Sequence, residues 1–119
     1  MNENLLRDRT KALALRIITL FDSLPQSGVG EVIDHQLLRS GTSVGANYRA
    51  SMRAKSRADM VNKLKIVEEE ADETRYWLEL LVDGNIVSAS RLKPLMTEID
   101  EILATTVASI KTMRGPARS

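Results

Sequence analysis

The sequence predicts an all-α protein, an antiparallel up-down-up-down four-helix bundle, and three observations lead there. Apolar residues recur at steps of three and four along four long stretches. No stretch alternates apolar and polar residues as a half-buried strand does. Turn-forming residues cluster at few places: Pro25 to Gly28 with Gly30, Arg53 to Ser56, Asp83 to Asn85, and Gly115 with Pro116. Helices of about 22 to 27 residues are about 33 to 40 Å long at 1.5 Å per residue, and short connections between equal helices favour antiparallel neighbours.

The first helix, expected over 3–24, places Leu6, Leu13, Ile17, Leu20 and Leu24 on one stripe, with Thr10 filling its gap. The second, 29–53, keeps helical spacing through Ile33, Leu37, Val44, Tyr48 and Met52, although Ser40, Gly41, Thr42, Ser43 and Gly45 weaken its middle. Each glycine there costs about 1 kcal/mol against alanine. Gly41 and Gly45, four apart, flatten one face so that another backbone can approach closely, and the alternative is a break near Gly41. The third helix, 57–83, reads Met60, Leu64, Val67, Ala71, Thr74, Leu78, Leu81 in alternating steps of four and three. Ser56, with Asp59 three residues on, has the form of a capping box that starts it at Arg57. Gly84 suits the left-handed stop that ends it. The fourth, 88–112, reads Leu92, Met96, Ile99, Leu103, Thr106, Ile110, Met113. Pro94 is comfortable in its first turn if it begins near Ser90 and kinks it if it begins at Ser88; both starts stay open. The bundle is assigned to 1–113 and a flexible tail to 114–119.

With 119 residues, 43% hydrophobic, 28% charged and a net charge of +1, the chain holds one core and needs no staple to fold. It has no cysteine, which removes disulfide frameworks, zinc fingers, thiolate catalysis and iron–sulfur clusters and suits a reducing cytoplasm. Arg7, Asp8, Arg9 and Lys11 stand where a secretory signal is apolar, and no apolar run is long enough to span a bilayer, so the expectation is a cytoplasmic protein without membrane partners.

Catalysis finds no support. A di-iron carboxylate bundle needs Glu-x-x-His on two helices, whereas the single histidine, His35, follows Val32 at that distance. A haem would have to use His35 or a methionine, and a lone histidine beside a loop reads as solvated or capping. Gly41 to Gly45 lacks the preceding strand and the following Gly-Lys-Ser/Thr of a phosphate loop. Ser40, Ser43 and Ser51 have no histidine partner or oxyanion site to make them nucleophiles. No cofactor and no metal are expected.

The charge pattern says more than the net charge. Arg39, Arg49, Arg53, Lys55, Arg57, Lys63 and Lys65 stand against Asp59 alone, a stretch of +6. Glu68, Glu69, Glu70, Asp72, Glu73, Glu79 and Asp83 then stand against Arg75, a stretch of −6. In an antiparallel hairpin of the second and third helices the cations gather at the turn, and one end of the bundle attracts polyanions. The acids include like charges four apart, each pair unfavourable by about 0.2 to 0.5 kcal/mol in an isolated helix. Lys65, Arg75, Arg7, Arg9 and Arg16 are candidates to compensate them within the subunit; the basic end of a neighbouring subunit would do so in a head-to-tail oligomer. Tyr76 and Trp77, adjacent, point about 100° apart, one inward and one toward the rim.

Gln36-Leu-Leu-Arg39-Ser-Gly-Thr-Ser-Val-Gly45-Ala-Asn-Tyr48-Arg-Ala, followed by Lys63-Leu-Lys-Ile-Val-Glu-Glu-Glu-Ala-Asp72-Glu and Tyr76-Trp-Leu-Glu-Leu, resembles the bacterial four-helix-bundle proteins related to the 23S rRNA intervening-sequence protein. The resemblance extends from the first helix to Leu92-Lys-Pro-Leu-Met-Thr-Glu. It implies a bundle that assembles into a homopentameric ring. A related branch serves as the accessory protein of diversity-generating retroelements, where the ring binds a reverse transcriptase and nucleic acid through basic residues. Within the shared block only Arg39, Asn47, Tyr48 and Arg49 offer polar chemistry. The expectation is therefore a non-enzymatic, ring-forming module that binds structured RNA or DNA, or a ribonucleoprotein, through Arg39, Arg49, Arg53, Lys55, Arg57 and Lys63. The alternative is a protein-interaction scaffold whose basic and acidic stretches pair between subunits.

Overall fold

The computed structural model describes residues 3–115. Four helices fill them: α1 (Glu3–Ser23), α2 (Gly28–Met52), α3 (Arg57–Asp83) and α4 (Ala89–Arg114). Among the described residues there is no strand. Each helix packs on the next in sequence, and α1 meets α4 more sparsely, in a body of 50 × 27 × 22 Å. Cross-helix bonds fix the antiparallel register. The Tyr48 phenol donates to the Glu3 carbonyl, and the Ser40 and Thr74 hydroxyls lie 3.0 Å apart between α2 and α3. Arg75 of α3 reaches Asp100 of α4, and Arg91 of α4 donates to the Ser23 hydroxyl at the end of α1.

The seams of α1, α2 and α3 form the core, with Leu13, Ile17, Leu37, Val44, Val67, Ala71, Leu78 and Leu81 at 0% exposure. Three threonines are buried among them without orphaned hydroxyls, because Thr10, Thr74 and Thr106 each donate to a carbonyl one turn back. The fourth seam differs from its expectation. Leu95 and Ile102 are buried, while Met96, Leu103 and Met113 are only partly so. A helix that contacts two neighbours has a stripe wider than one heptad seam, and Leu95 turns toward α1 while Leu103 turns toward the α3 edge.

Gly41 and Gly45 sit inside an unbroken α2, both buried against α1. A Cβ on Gly45 would stand 3.3 Å from the Thr10 carbonyl oxygen, so backbone meets backbone there, and a Cβ on Gly41 would overlap Ile17. Tertiary packing thus offsets the poor helix propensity of this segment.

Ser56 caps α3, its hydroxyl accepting from the Asp59 N–H at 3.1 Å. The stop at the other end falls one residue later than expected. Gly84 has φ −81° and is no left-handed residue; Asn85, at φ 59°, takes that conformation. The Ile86 N–H bonds to the Leu81 carbonyl and the Asn85 N–H to that of Val82, the paired bonds of a Schellman motif with asparagine in the left-handed position. α4 begins at Ala89 behind Ser88, whose hydroxyl accepts from the Arg91 N–H. Pro94 therefore lies in its second turn. The helix tolerates it because the Ser90 carbonyl, which loses its donor, belongs to an exposed residue. Of the tail expected at 114–119, Arg114 closes α4, Gly115 follows it at a positive φ of 78°, and 116–119 lie outside the described residues.

Candidate nucleic-acid interface

Antiparallel pairing brings the start of α1, the end of α2, the start of α3 and the end of α4 to one end of the bundle. The α2–α3 turn stands there, and it is a built turn. The Asp59 carboxylate accepts from the Lys55 backbone N–H at 3.1 Å and pairs with Lys63 at 3.3 Å. The Lys55 N–H, and then the Lys63 ammonium, hold that carboxyl below its ordinary range.

The six cations expected in the site separate into three groups. Arg49, Arg53, Lys55 and Arg57 are exposed at this end and have no ion-pair partner among the described residues. Lys63 is at the same end, tied to Asp59. Arg39 is elsewhere: it lies on α2 more than two turns before Arg49 and bridges to Glu70 at 3.0 Å and to Glu73 on α3. The reason is periodicity, since Arg39 faces α3 across from Glu70 and Glu73, which lie one turn apart on that helix.

Arg39, Arg9 and Arg75 carry the main ionic ties between helices. Arg9 holds Glu98 and Glu101 of α4, its Nε bonded to Glu98 at 3.1 Å, and the Glu98 carboxyl is pulled below its usual value by that guanidinium. Arg75 joins Glu79 to Asp100. Of the first-helix arginines expected to neutralise α3, Arg9 turns to α4 instead, because α1 and α3 lie diagonally across the bundle and their backbones do not come close. Glu68, Glu69 and Asp72 consequently keep no ion pair among the described residues; they line a shallow groove between α3 and α4 with Lys65, Leu103 and Val107.

Two cations of the basic end escape a reading of the linear charge run. Arg7 and Lys11, one turn apart on α1, face Arg49 and Arg53, one turn apart on α2, across a groove of about 670 Å³. Its floor is made of small residues, Ala14, Gly45 and Ala46 with Thr10 and Thr42. The signal that could have found them is the antiparallel register, which sets the start of α1 beside the end of α2. Arg7 has one partner, its neighbour Asp8 at 3.5 Å, in an exposed pair worth little. Lys111 and Arg114, in the last turn of α4, add to the same end.

Elsewhere the polar side chains read as structural. His35 is exposed, edge-on to Phe21 and 3.8 Å from Glu31. Tyr76 is exposed, and Trp77 is partly buried with its indole N–H donating to Glu73. No group of three or more metal-ligating side chains occurs among the described residues, and no helix among them is long and apolar enough to cross a membrane.

The family model described as 23S rRNA-intervening sequence protein matches residues 3–108. Among solved structures, this fold is similar to the crystal structure of a protein with unknown function from the S23 ribosomal protein family of Bacteroides thetaiotaomicron. The identity is 37%, the match covers 89% of this chain and 98% of that one, and the TM-score is 0.82. No curated protein matches.

Proposed function

Because the chain belongs to the 23S rRNA-intervening sequence protein family, we propose that it is a non-enzymatic helical-bundle module that binds structured nucleic acid, or a ribonucleoprotein, through its basic end. The observation that carries this is the partition of the cations. The arginines that face acids on neighbouring helices are ion-paired, whereas Arg49, Arg53, Lys55 and Arg57 converge on one end without an acidic partner. Four or more cations on one surface displace phosphate counterions, giving an affinity that falls steeply with salt and depends little on sequence.

The test is a titration of labelled structured RNA at low and at physiological salt. A slope of log affinity against log salt of about −3 to −4 corresponds to about four phosphates on these residues. Replacing Arg49, Arg53 and Arg57 by Glu abolishes binding while leaving the helical circular-dichroism signal intact. Binding that survives the triple change, or no binding at low salt, defeats the reading.

A second reading has its own support in Glu68, Glu69 and Asp72, which have no ion-pair partner among the described residues and lie beside the apolar Leu103 and Val107. On that reading the chain is a scaffold whose basic end meets the α3–α4 face of the next copy, in a head-to-tail homo-oligomer that the family resemblance makes a pentamer. Dissociation of the oligomer by high salt supports it, and cations buried between subunits are then closed to phosphate.

A further inference from the structure

We propose that the groove between α1 and α2 is the seat for the sugar-phosphate backbone of double-helical nucleic acid, held by Arg7 and Lys11 from one side and Arg49 and Arg53 from the other. This rests on the nucleic-acid reading of the basic end and adds to it α1, a second wall and a class of ligand.

The walls are two rows of cations. Within each row the residues are four apart, which is about 6 Å along a helix axis. The floor is low because Gly45 lets α2 sink onto the Thr10 backbone and because Ala14 and Ala46 carry only methyl groups. Asp8 also lines the groove on the α1 side, 3.5 Å from Arg7, but four cations stand against this one acid, so an anion lying along the groove meets a net positive charge on both sides and no bulk beneath.

Two other occupants fit the groove less well. A single strand is gripped mainly by stacking its bases on aromatic rings. The chain has four aromatic residues, and none lines this groove: Phe21 packs on His35, Tyr48 is buried with its phenol on the Glu3 carbonyl, and Tyr76 packs on Trp77 on α3. A protein partner wants a desolvated apolar anchor at the centre of its contact. Here Met52, at one end, is the one large apolar side chain in the lining. A double helix asks for neither, since its bases are stacked inside and its phosphates are outside, and it is recognised by backbone charge and shape.

The experiment is fluorescence anisotropy with four probes of one sequence, each about two helical turns long: duplex RNA, duplex DNA and the corresponding unstructured single strands. Each is titrated with the wild-type protein and with the Arg7→Glu, Lys11→Glu double variant, whose two positions are exposed on α1. The wild type binds a duplex about tenfold tighter than the single strands. The variant loses at least about tenfold on the duplex, and its salt slope is shallower by about 2. The two duplex arms tell RNA from DNA. Equal affinity for single strands, or duplex binding by the variant with unchanged affinity and slope, overturns the proposal. Wild-type protein that binds none of the four probes at low salt overturns the nucleic-acid reading itself. Sedimentation of the same two proteins provides the remaining arm: loss of a salt-sensitive oligomer in the variant makes the groove a contact for a second copy and refutes the duplex seat.

Discussion

Gly41→Ala tests whether the α1–α2 approach is as tight as it looks. The new methyl would overlap the Ile17 Cδ1 methyl and stand 3.2 and 3.3 Å from Cγ2 and Cγ1. Ile17 is fully buried, so the displaced methyl has to find its place within the packed core. Overpacking of this kind costs about 1–3 kcal/mol, offset by the roughly 1 kcal/mol that alanine gains over glycine inside a helix, for a net loss of about 0–2 kcal/mol. Ile17→Val removes the colliding Cδ1 and alone costs about 0.5–1.5 kcal/mol. In that background only the Cγ2 and Cγ1 contacts at 3.2 and 3.3 Å remain, which a shift of a few tenths of an ångström relieves, so Gly41→Ala costs less than it does in the wild type. The two substitutions should couple by about 1–2 kcal/mol. Urea unfolding of the four proteins, followed by far-ultraviolet circular dichroism, measures this provided the m-value is unchanged. Losses that add within about 0.5 kcal/mol refute the steric argument, as does stabilisation by Gly41→Ala in the wild-type protein.

Two carboxyls give pH dependences of opposite sign. Glu98 is held below its ordinary value by Arg9, so its contribution is present above the unfolded-state value and disappears as pH falls through the folded one; Glu98→Gln costs about 1–2 kcal/mol in urea melts near neutrality and almost nothing in acid. Asp34 is fully buried with neither oxygen hydrogen-bonded among the described residues, and burial pushes its carboxyl up. Its favourable term is complete below the unfolded-state value and is lost as pH rises through the folded one, so Asp34→Asn raises stability by about 1–3 kcal/mol at pH 7 and leaves it nearly unchanged near pH 3.5; equal effects at both pH values contradict the assignment. Ala46→Leu fills the groove floor at an exposed position with little change in helix propensity. It should weaken duplex binding severalfold in the anisotropy titration while leaving the urea midpoint where it was.

What the linear sequence discloses depends on the range of the interaction. Ser56 announces the start of α3 because its bond to the Asp59 N–H closes within one turn. The α1 and α3 seams are legible because burial in a bundle follows the helix period. The α3 stop is harder, since Gly84 and Asn85 both tolerate a left-handed backbone and the choice depends on where the helical bonds run out. The α4 seam shifts to Leu95 and Ile102 because α4 serves two neighbours at once. Arg39 shows the limit most clearly. A run of charge in sequence counts it with Arg49 and Arg53, but a helix spreads its side chains around its axis and along its length. Arg39 points at Glu70 and Glu73 while the others reach the open end. Arg7 and Lys11 join that end through tertiary register alone, more than 35 positions away in sequence from Arg49.

The same small residues set both the packing and the groove. Gly45 lets α2 approach the α1 backbone, and this approach lowers the groove floor between Arg7 and Lys11 on one wall and Arg49 and Arg53 on the other. A larger residue at Gly45 would push the helices apart and move the two walls together with the core, so loss of binding there says nothing about the site. Ala46 faces the groove from an exposed position, so a change there separates the two roles. The shared block from Gln36 to Ala50 therefore matters for binding through its small residues as well as through Arg49. Its glycines and Ala46 fix how deep the groove is, while Arg49 within it and Arg7, Lys11 and Arg53 outside it supply the charge.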